Sequence, residues 1–106
     1  MAKQQILFVD DEPMLLQGLQ RLLRPFKDEW DVVFAESGQA ALEILAGHPF
    51  DVIVSDMRMP GMNGAELLKE VMKRYPATVR IVLAGLHPDL YEHILQCIFG
   101  PTPVPQ

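Results

Sequence analysis

Four short, wholly apolar runs constrain this chain more than any other feature of its sequence. They occupy residues 6–9, 32–35, 52–54 and 81–84. Short apolar runs rich in β-branched side chains are typical of strands that are covered on both faces, as in a parallel sheet. Parallel strands cannot be joined by tight turns, so we expect the segments between the runs to be helical.

The first two connecting segments carry helix signals. Pro13 stands where a first helical residue tolerates proline, Glu12 favours the positive helix start, and Pro25 marks the end. Ser37 is expected to cap the second helix, which Gly47 ends. The predicted inner faces are Leu15, Leu19, Leu22 and Phe26 in the first helix, and Ala41, Leu42 and Leu45 in the second.

Two further helices are predicted. Asn63 followed by Glu66 is close to a capping box, and the helix should end before Pro76. A fourth helix is expected to begin near Pro88. The chain then closes with three prolines within residues 100–105, a composition that can neither continue a helix nor form a central strand. The third helix is predicted to bury Leu67, Leu68, Val71 and Met72.

Regular alternation of strand and helix predicts an α/β fold with a doubly wound parallel sheet. We expect the flavodoxin-like strand order 2-1-3-4. In such sheets the functional groups gather beyond the carboxyl ends of the strands. The residues expected at these ends are Asp10, Asp11, Glu36, Asp56, Ala84 and Gly85.

Three of these residues are predicted to form one acidic site. In the order 2-1-3-4 the first and third strands are neighbours, so the carboxylates of Asp10, Asp11 and Asp56 should converge. Like charges at this distance favour protonation of one group or binding of a cation. Carboxylate oxygens without nearby His or Cys suggest Mg²⁺, which commonly completes its coordination with phosphate oxygens. The site therefore predicts a phosphoryl group as its partner.

Asp56 is the expected nucleophile of this site. It is a single acid at the tip of a strand, and a loop that contains Gly and Pro follows it. A carboxylate in this position can attack phosphorus to give an aspartyl phosphate. Asp10 and Asp11 would then hold the metal.

Three stretches resemble the receiver domains of two-component response regulators: Val-Asp-Asp-Glu at 9–12, Asp-Met-Arg-Met-Pro-Gly-Met-Asn-Gly at 56–64, and Arg-Ile-Val-Leu-Ala-Gly at 80–85. The resemblance covers about residues 5–98 and implies that Asp56 is the phospho-acceptor. It also implies that Asp11, Asp56 and the backbone carbonyl of Arg58 bind Mg²⁺ directly, with Asp10 acting through water. A histidine kinase or phosphotransfer protein would supply the phosphoryl group. Residues 80–102 further resemble receivers attached to HD-type hydrolase modules.

The sequence departs from the receiver pattern in two places. Ala84 stands where receivers carry a Ser or Thr that bonds the phosphoryl oxygen, and the usual Lys after a fifth strand has no counterpart. We expect phosphorylation with weakened switching; the alternative is a non-switching pseudo-receiver that serves as an interaction or dimerisation module. The expected domains are an incomplete receiver over 1–98, lacking the fifth strand and fifth helix, and a proline-rich tail over 99–106. Whether this end is natural, or the chain is truncated or frameshifted, stays open.

An incomplete sheet would leave the fourth strand at an edge. Exposed apolar side chains and unpaired backbone groups there predict self-association of the chain. A phosphatase that forms an aspartyl-phosphate intermediate is a second alternative. That class needs a second acid two residues after the nucleophile, where this chain has Arg58. We therefore expect a phospho-acceptor rather than a turnover enzyme.

Composition limits the partners and the compartment. The net charge of −5 argues against direct binding of nucleic acid. No apolar run approaches the roughly 20 residues that span a bilayer, so no membrane association is expected. The single cysteine, Cys97, excludes an internal disulfide and favours the cytoplasm.

Overall fold

The computed structural model describes residues 3–57 and 59–83. Within them the elements follow in the order β1 (Gln4–Val9), α1 (Pro13–Leu23), a 3₁₀ turn (Arg24–Phe26), β2 (Trp30–Ala35), α2 (Gly38–Gly47), β3 (Val52–Asp56), α3 (Gly64–Arg74) and β4 (Val79–Leu83). The predicted fourth helix, the tail at 99–106 and the question of a fifth strand and helix lie outside the described residues.

The four strands form one parallel sheet in the order β2-β1-β3-β4. The predicted α/β class and the order 2-1-3-4 are therefore confirmed. Each strand is longer than its apolar run, because polar residues such as Gln4 and Arg80 also pair through their backbones. Strand β4 begins at Val79, whose N–H donates to the carbonyl of Asp51.

Two apolar cores lie on opposite faces of the sheet, because successive side chains of a strand point to opposite sides. Along β1, Ile6 and Phe8 face α1, whereas Leu7 and Val9 face α2 and α3. The core on the α1 side consists of Ile6, Phe8, Leu16, Leu19, Leu23, Trp30, Val52 and Val54. The other core consists of Leu7, Val9, Ala35, Ala41, Leu42, Leu45, Phe50, Ile53, Met59, Leu67, Leu68 and Val71.

The predicted helix caps are confirmed. The Ser37 hydroxyl accepts the N–H of Ala40 at 3.1 Å, and the Asn63 side chain accepts the N–H of Glu66 at 2.9 Å. These bonds satisfy donors that have no partner within the first helical turn. They fix where α2 and α3 leave the loops at the carboxyl edge of the sheet.

Two predicted core positions are wrong. Leu22 is 37% exposed and Met72 is 56% exposed. In α1 the buried stripe runs through Leu16, Leu19 and Leu23, so Leu22 falls beside it. Met72 directly follows the buried Val71 and is turned about 100° away from it around the helix axis.

Candidate functional site

The register between β1 and β3 creates the candidate site. Val9 lies opposite Ser55, so Asp10, which follows β1, and Asp56, which ends β3, leave neighbouring strands at the same edge. The N–H of Asp10 donates to the carbonyl of Ala35, which continues the pairing of β1 with β2 by one residue. The backbone N–H of Asp10 is thus still anchored to the sheet.

Asp10 is the buried member of the site, with 5% of its surface exposed. Its Oδ1 accepts the N–H of Glu12 at 2.9 Å, which orients the carboxyl group at the start of α1. The pKa of Asp10 is raised from 3.8 to about 6, chiefly by burial. The negative charges of Asp56, Asp11 and Glu12 contribute to this rise, and the hydrogen bond from the Glu12 N–H opposes it. The fold therefore favours protonation of this carboxyl group more than water does, and a bound cation would oppose that shift.

Carboxylate oxygens of Asp10, Asp11 and Asp56 all lie within 4.8 Å of one another. Asp11 is exposed and Asp56 is partly exposed, so solvent reaches the group. These hard oxygen donors repel one another and are accessible to solvent. Such a donor set suits a small divalent cation that keeps some of its water. The donor set therefore fits Mg²⁺, and the predicted convergence of the three acids is confirmed.

The loop after Asp56 returns to touch it. The N–H of Gly64, the first residue of α3, donates to the carbonyl of Met57 at 3.0 Å. A Cβ on Gly64 would lie 2.2 Å from the backbone carbonyl oxygen of Asp56. Gly61 turns the loop with a φ of 77°, a conformation that favours glycine. Only glycine at position 64 allows α3 to start this close to the strand.

Sequence reasoning missed Gly64 and Ser55. A glycine in a loop predicts a turn, whereas Gly64 is required here for close approach to the backbone of Asp56. Ser55 is fully buried, and its hydroxyl donates to the backbone carbonyl of Asp56 at 3.0 Å. A polar residue that interrupts an apolar strand directly before Asp56 was the available signal.

Glu36 and His48 do not join the acidic group. Glu36 follows β2 and is exposed, and it is not among the three converging acids. His48 stacks on Phe50 at the opposite edge, with ring centroids 4.7 Å apart. Arg58, Ala84, Gly85 and Cys97 lie outside the described residues.

Comparison with known proteins identifies the family. The sequence model described as the response regulator receiver domain matches residues 6–98. The chain belongs to this family. The receiver domain is 42% identical over 80 residues to the hydrogenase transcriptional regulatory protein HoxA of Cupriavidus necator, covering 76% of this chain and 16% of that protein. It is 34% identical over 97 residues to the transcriptional regulatory protein DegU of Brevibacillus brevis, covering 89% of this chain and 40% of that protein.

A solved structure agrees with this assignment. The signal receiver domain of an HD domain-containing protein from Pseudomonas fluorescens Pf-5 is 35% identical, with a TM-score of 0.75, and the match covers 93% of this receiver domain and 77% of that chain. The receiver domain spans less than half the length of the curated relatives named above. Among the described residues, no helix has both the length and the apolar character needed to cross a bilayer.

Proposed function

We propose that this receiver domain accepts a phosphoryl group on Asp56 from a histidine kinase or phosphotransfer protein, and that it does so with Mg²⁺. The observation that carries the proposal is the convergence of Asp10, Asp11 and Asp56 at the carboxyl edge of the sheet. A single accessible carboxylate at a strand tip, beside two further acids, is suited to attack on phosphorus. Membership of the receiver family supports the same chemistry.

Each acid has a proposed part. A carboxylate oxygen of Asp56 forms a bond to phosphorus while the bond from phosphorus to the donor breaks, and the electron pair leaves with the donor. Asp11, Asp56 and the carbonyl of Arg58 are the proposed direct ligands of Mg²⁺, and Asp10 acts through water. When bound, the ion supplies positive charge that offsets the charge of the transferring group. The β3 ladder fixes the line of attack.

The proposed product is a modified signalling protein rather than a released compound, so we class the chain as a phospho-acceptor and not as a turnover enzyme. Ala84 supports weakened switching, because a methyl group cannot bond the phosphoryl oxygen. The same residue supports the alternative of a non-switching pseudo-receiver. We infer a cytoplasmic location, no direct contact with nucleic acid or membrane, and an output through another protein or domain, of which an HD-type hydrolase module is one example.

Self-association is a further part of the proposal. On β4, Val79 is 55% exposed and Val82 is 40% exposed. Among the described strands, β4 pairs with β3 alone. Apolar side chains on such a strand favour contact with a second copy.

Intact-mass measurement with acetyl phosphate and Mg²⁺ tests the assignment of the nucleophile. The wild-type chain should gain one phosphoryl group, Asp56→Asn none, and Asp11→Asn one at a much lower rate. An adduct of equal yield on Asp56→Asn would show that another residue is modified.

A further inference from the structure

Two consecutive backbone carbonyls are held directly after the nucleophile. The hydroxyl of Ser55 donates to the carbonyl of Asp56, and the N–H of Gly64 donates to the carbonyl of Met57, both at 3.0 Å. The close approach of Gly64 also limits the space into which the carbonyl oxygen of Asp56 can move. We call the side chain of Ser55 and the backbone of Gly64 the carbonyl clamp.

The carbonyl clamp restrains the backbone just where the pairing of β3 in the sheet ends. Up to Asp56 the chain is held by the sheet. Strand β3 pairs with β1 as far as Ser55 and with β4 as far as Asp56, which lies opposite Leu83. On the carboxyl side of Asp56 the chain leaves the sheet at Met57. The dihedral ψ of Asp56 sets both the path of the loop and the side-chain rotamers open to the carboxylate, because rotamer preferences depend on the backbone. A hydrogen bond to the Asp56 carbonyl restrains this dihedral.

The burial of Ser55 indicates that its hydroxyl group has a structural role. A hydroxyl group buried without a partner is unfavourable, and an apolar side chain would continue the run Val52, Ile53 and Val54. The hydroxyl of Ser55 instead donates to the backbone carbonyl of Asp56, the residue that carries the reacting carboxylate. The structure gives Ser55 no exposed surface, so direct contact with a phosphoryl donor is excluded.

We propose that Ser55 is a positioning residue for phosphoryl transfer: its hydroxyl fixes the peptide that follows Asp56 and thereby the orientation of the attacking carboxylate. The inference rests on the proposed function of Asp56. It assigns the role to the hydroxyl and not to the volume of the side chain.

The test compares Ser55→Ala, Ser55→Thr and a control that loses a similar bond elsewhere. Thr78 provides the control, since it is buried and its hydroxyl donates to the carbonyl of Phe50 at 2.9 Å, at the opposite edge of the sheet. Thr78→Val keeps the shape and removes that bond. All variants are first compared by thermal unfolding, and rates of adduct formation are then measured by intact mass over a series of acetyl phosphate concentrations with saturating Mg²⁺.

Ser55→Ala should slow phosphorylation at saturating donor by about 3- to 10-fold, the range set by one neutral hydrogen bond. Ser55→Thr keeps a hydroxyl group and should react at the wild-type rate. Thr78→Val should lower the melting temperature by a similar amount and leave the rate unchanged. Exchange of the Gly64 amide hydrogen, followed by NMR without donor, should become faster in Ser55→Ala alone. If Ser55→Ala does not fold, Ser55→Cys, with its weak S–H donor, takes its place and should show an intermediate rate.

The outcomes separate this inference from the function on which it rests. No adduct on the folded wild-type chain would overturn the proposed function, and the inference with it. A wild-type rate in Ser55→Ala, or a Ser55→Thr variant as slow as Ser55→Ala, would overturn only the positioning role. Equal slowing by Thr78→Val would show a general effect of stability and would also overturn it.

Discussion

Gly64 stands so close to Asp56 that a Cβ at position 64 would lie 2.2 Å from the Asp56 carbonyl oxygen and 2.9 Å from Cα of Met57. Both neighbours are backbone atoms, which cannot move aside as the end of a side chain can. The start of α3 and the end of β3 are therefore fitted to each other at the residue that we propose as the nucleophile.

Gly64→Ala should destabilise the fold and disturb the site together. Overpacking of this kind typically costs about 1–3 kcal/mol, and the forced shift falls on the backbone of Asp56. Denaturant unfolding gives the stability, and the rate of adduct formation gives the effect on the site. Gly47→Ala is the matched control, because a Cβ there meets nothing within 4 Å in the last turn of α2, so it should be neutral or slightly stabilising. Equal behaviour of the two variants would contradict the close approach.

Asp10 should make the metal-free protein less stable as the pH rises. Its pKa is raised from 3.8 to about 6, so the unfolded chain loses its proton first and stability falls between these values, with no further change from this group above them. At about 1.4 kcal/mol per pKa unit, the loss reaches about 3 kcal/mol as an upper figure.

Replacement of Asp10 by Asn tests this pH dependence. Asn keeps an oxygen for the N–H of Glu12 but carries no charge. In the presence of EDTA, Asp10→Asn should be more stable than wild type near pH 7.5 and equal to it near pH 4. Asp28→Asn, at an exposed residue before β2, serves as the control and should show no such crossover. A wild-type protein that gains stability from pH 4 to pH 6 relative to Asp10→Asn would refute the prediction.

Mg²⁺ should stabilise the folded protein through the acidic group. Binding to the native state alone adds about 2.7 kcal/mol at a concentration 100-fold above Kd. The melting temperature of the wild type should therefore rise with Mg²⁺ concentration, and that of Asp11→Asn should rise much less. Asp51 lies at the opposite edge of the sheet, remote from the acidic group. Asp51→Asn should therefore leave the rise in melting temperature with Mg²⁺ unchanged. An equal response in Asp11→Asn would rule out the proposed ligand.

The exposed valines of β4 predict self-association. Light scattering across a concentration series should show a dimer or larger oligomer for wild type and a shift to monomer for Val82→Lys. Met72→Lys, which replaces an apolar residue that is 56% exposed on α3, should not shift the equilibrium. A wild-type chain that stays monomeric at every concentration would disprove this part of the proposal.

The sequence was sufficient for the sheet and for the acidic group, and the reason is periodicity. Apolar runs mark buried parallel strands, and the strand order then brings Asp10 beside Asp56 without knowledge of any distance. Caps were predictable because Ser37 and Asn63 act on their own helices. The side chains of Leu22 and Met72 were misplaced because the centre of a helix's apolar face depends on which part of the sheet it meets.

The Gly64 contact and the Ser55 bond could not be predicted in the same way. The Gly64 contact depends on the separation between α3 and β3, which no spacing in the sequence encodes. The Ser55 bond is local to β3, but the burial that makes it matter is set by packing against the rest of the fold. A glycine in a loop predicts a turn equally well, as it does at Gly61. Ser55 differs from an ordinary strand serine only in being fully buried beside the site.

The central claim is that Asp56 takes a phosphoryl group in a reaction that needs Mg²⁺. Its most direct test is the intact mass of the folded chain after incubation with acetyl phosphate, in Mg²⁺ and in EDTA, beside Asp56→Asn and the remote control Asp51→Asn. We predict one phosphoryl adduct on the wild type and on Asp51→Asn in Mg²⁺, and none in EDTA or on Asp56→Asn. The absence of an adduct on a folded wild-type chain in Mg²⁺ would contradict the account and favour a non-switching pseudo-receiver.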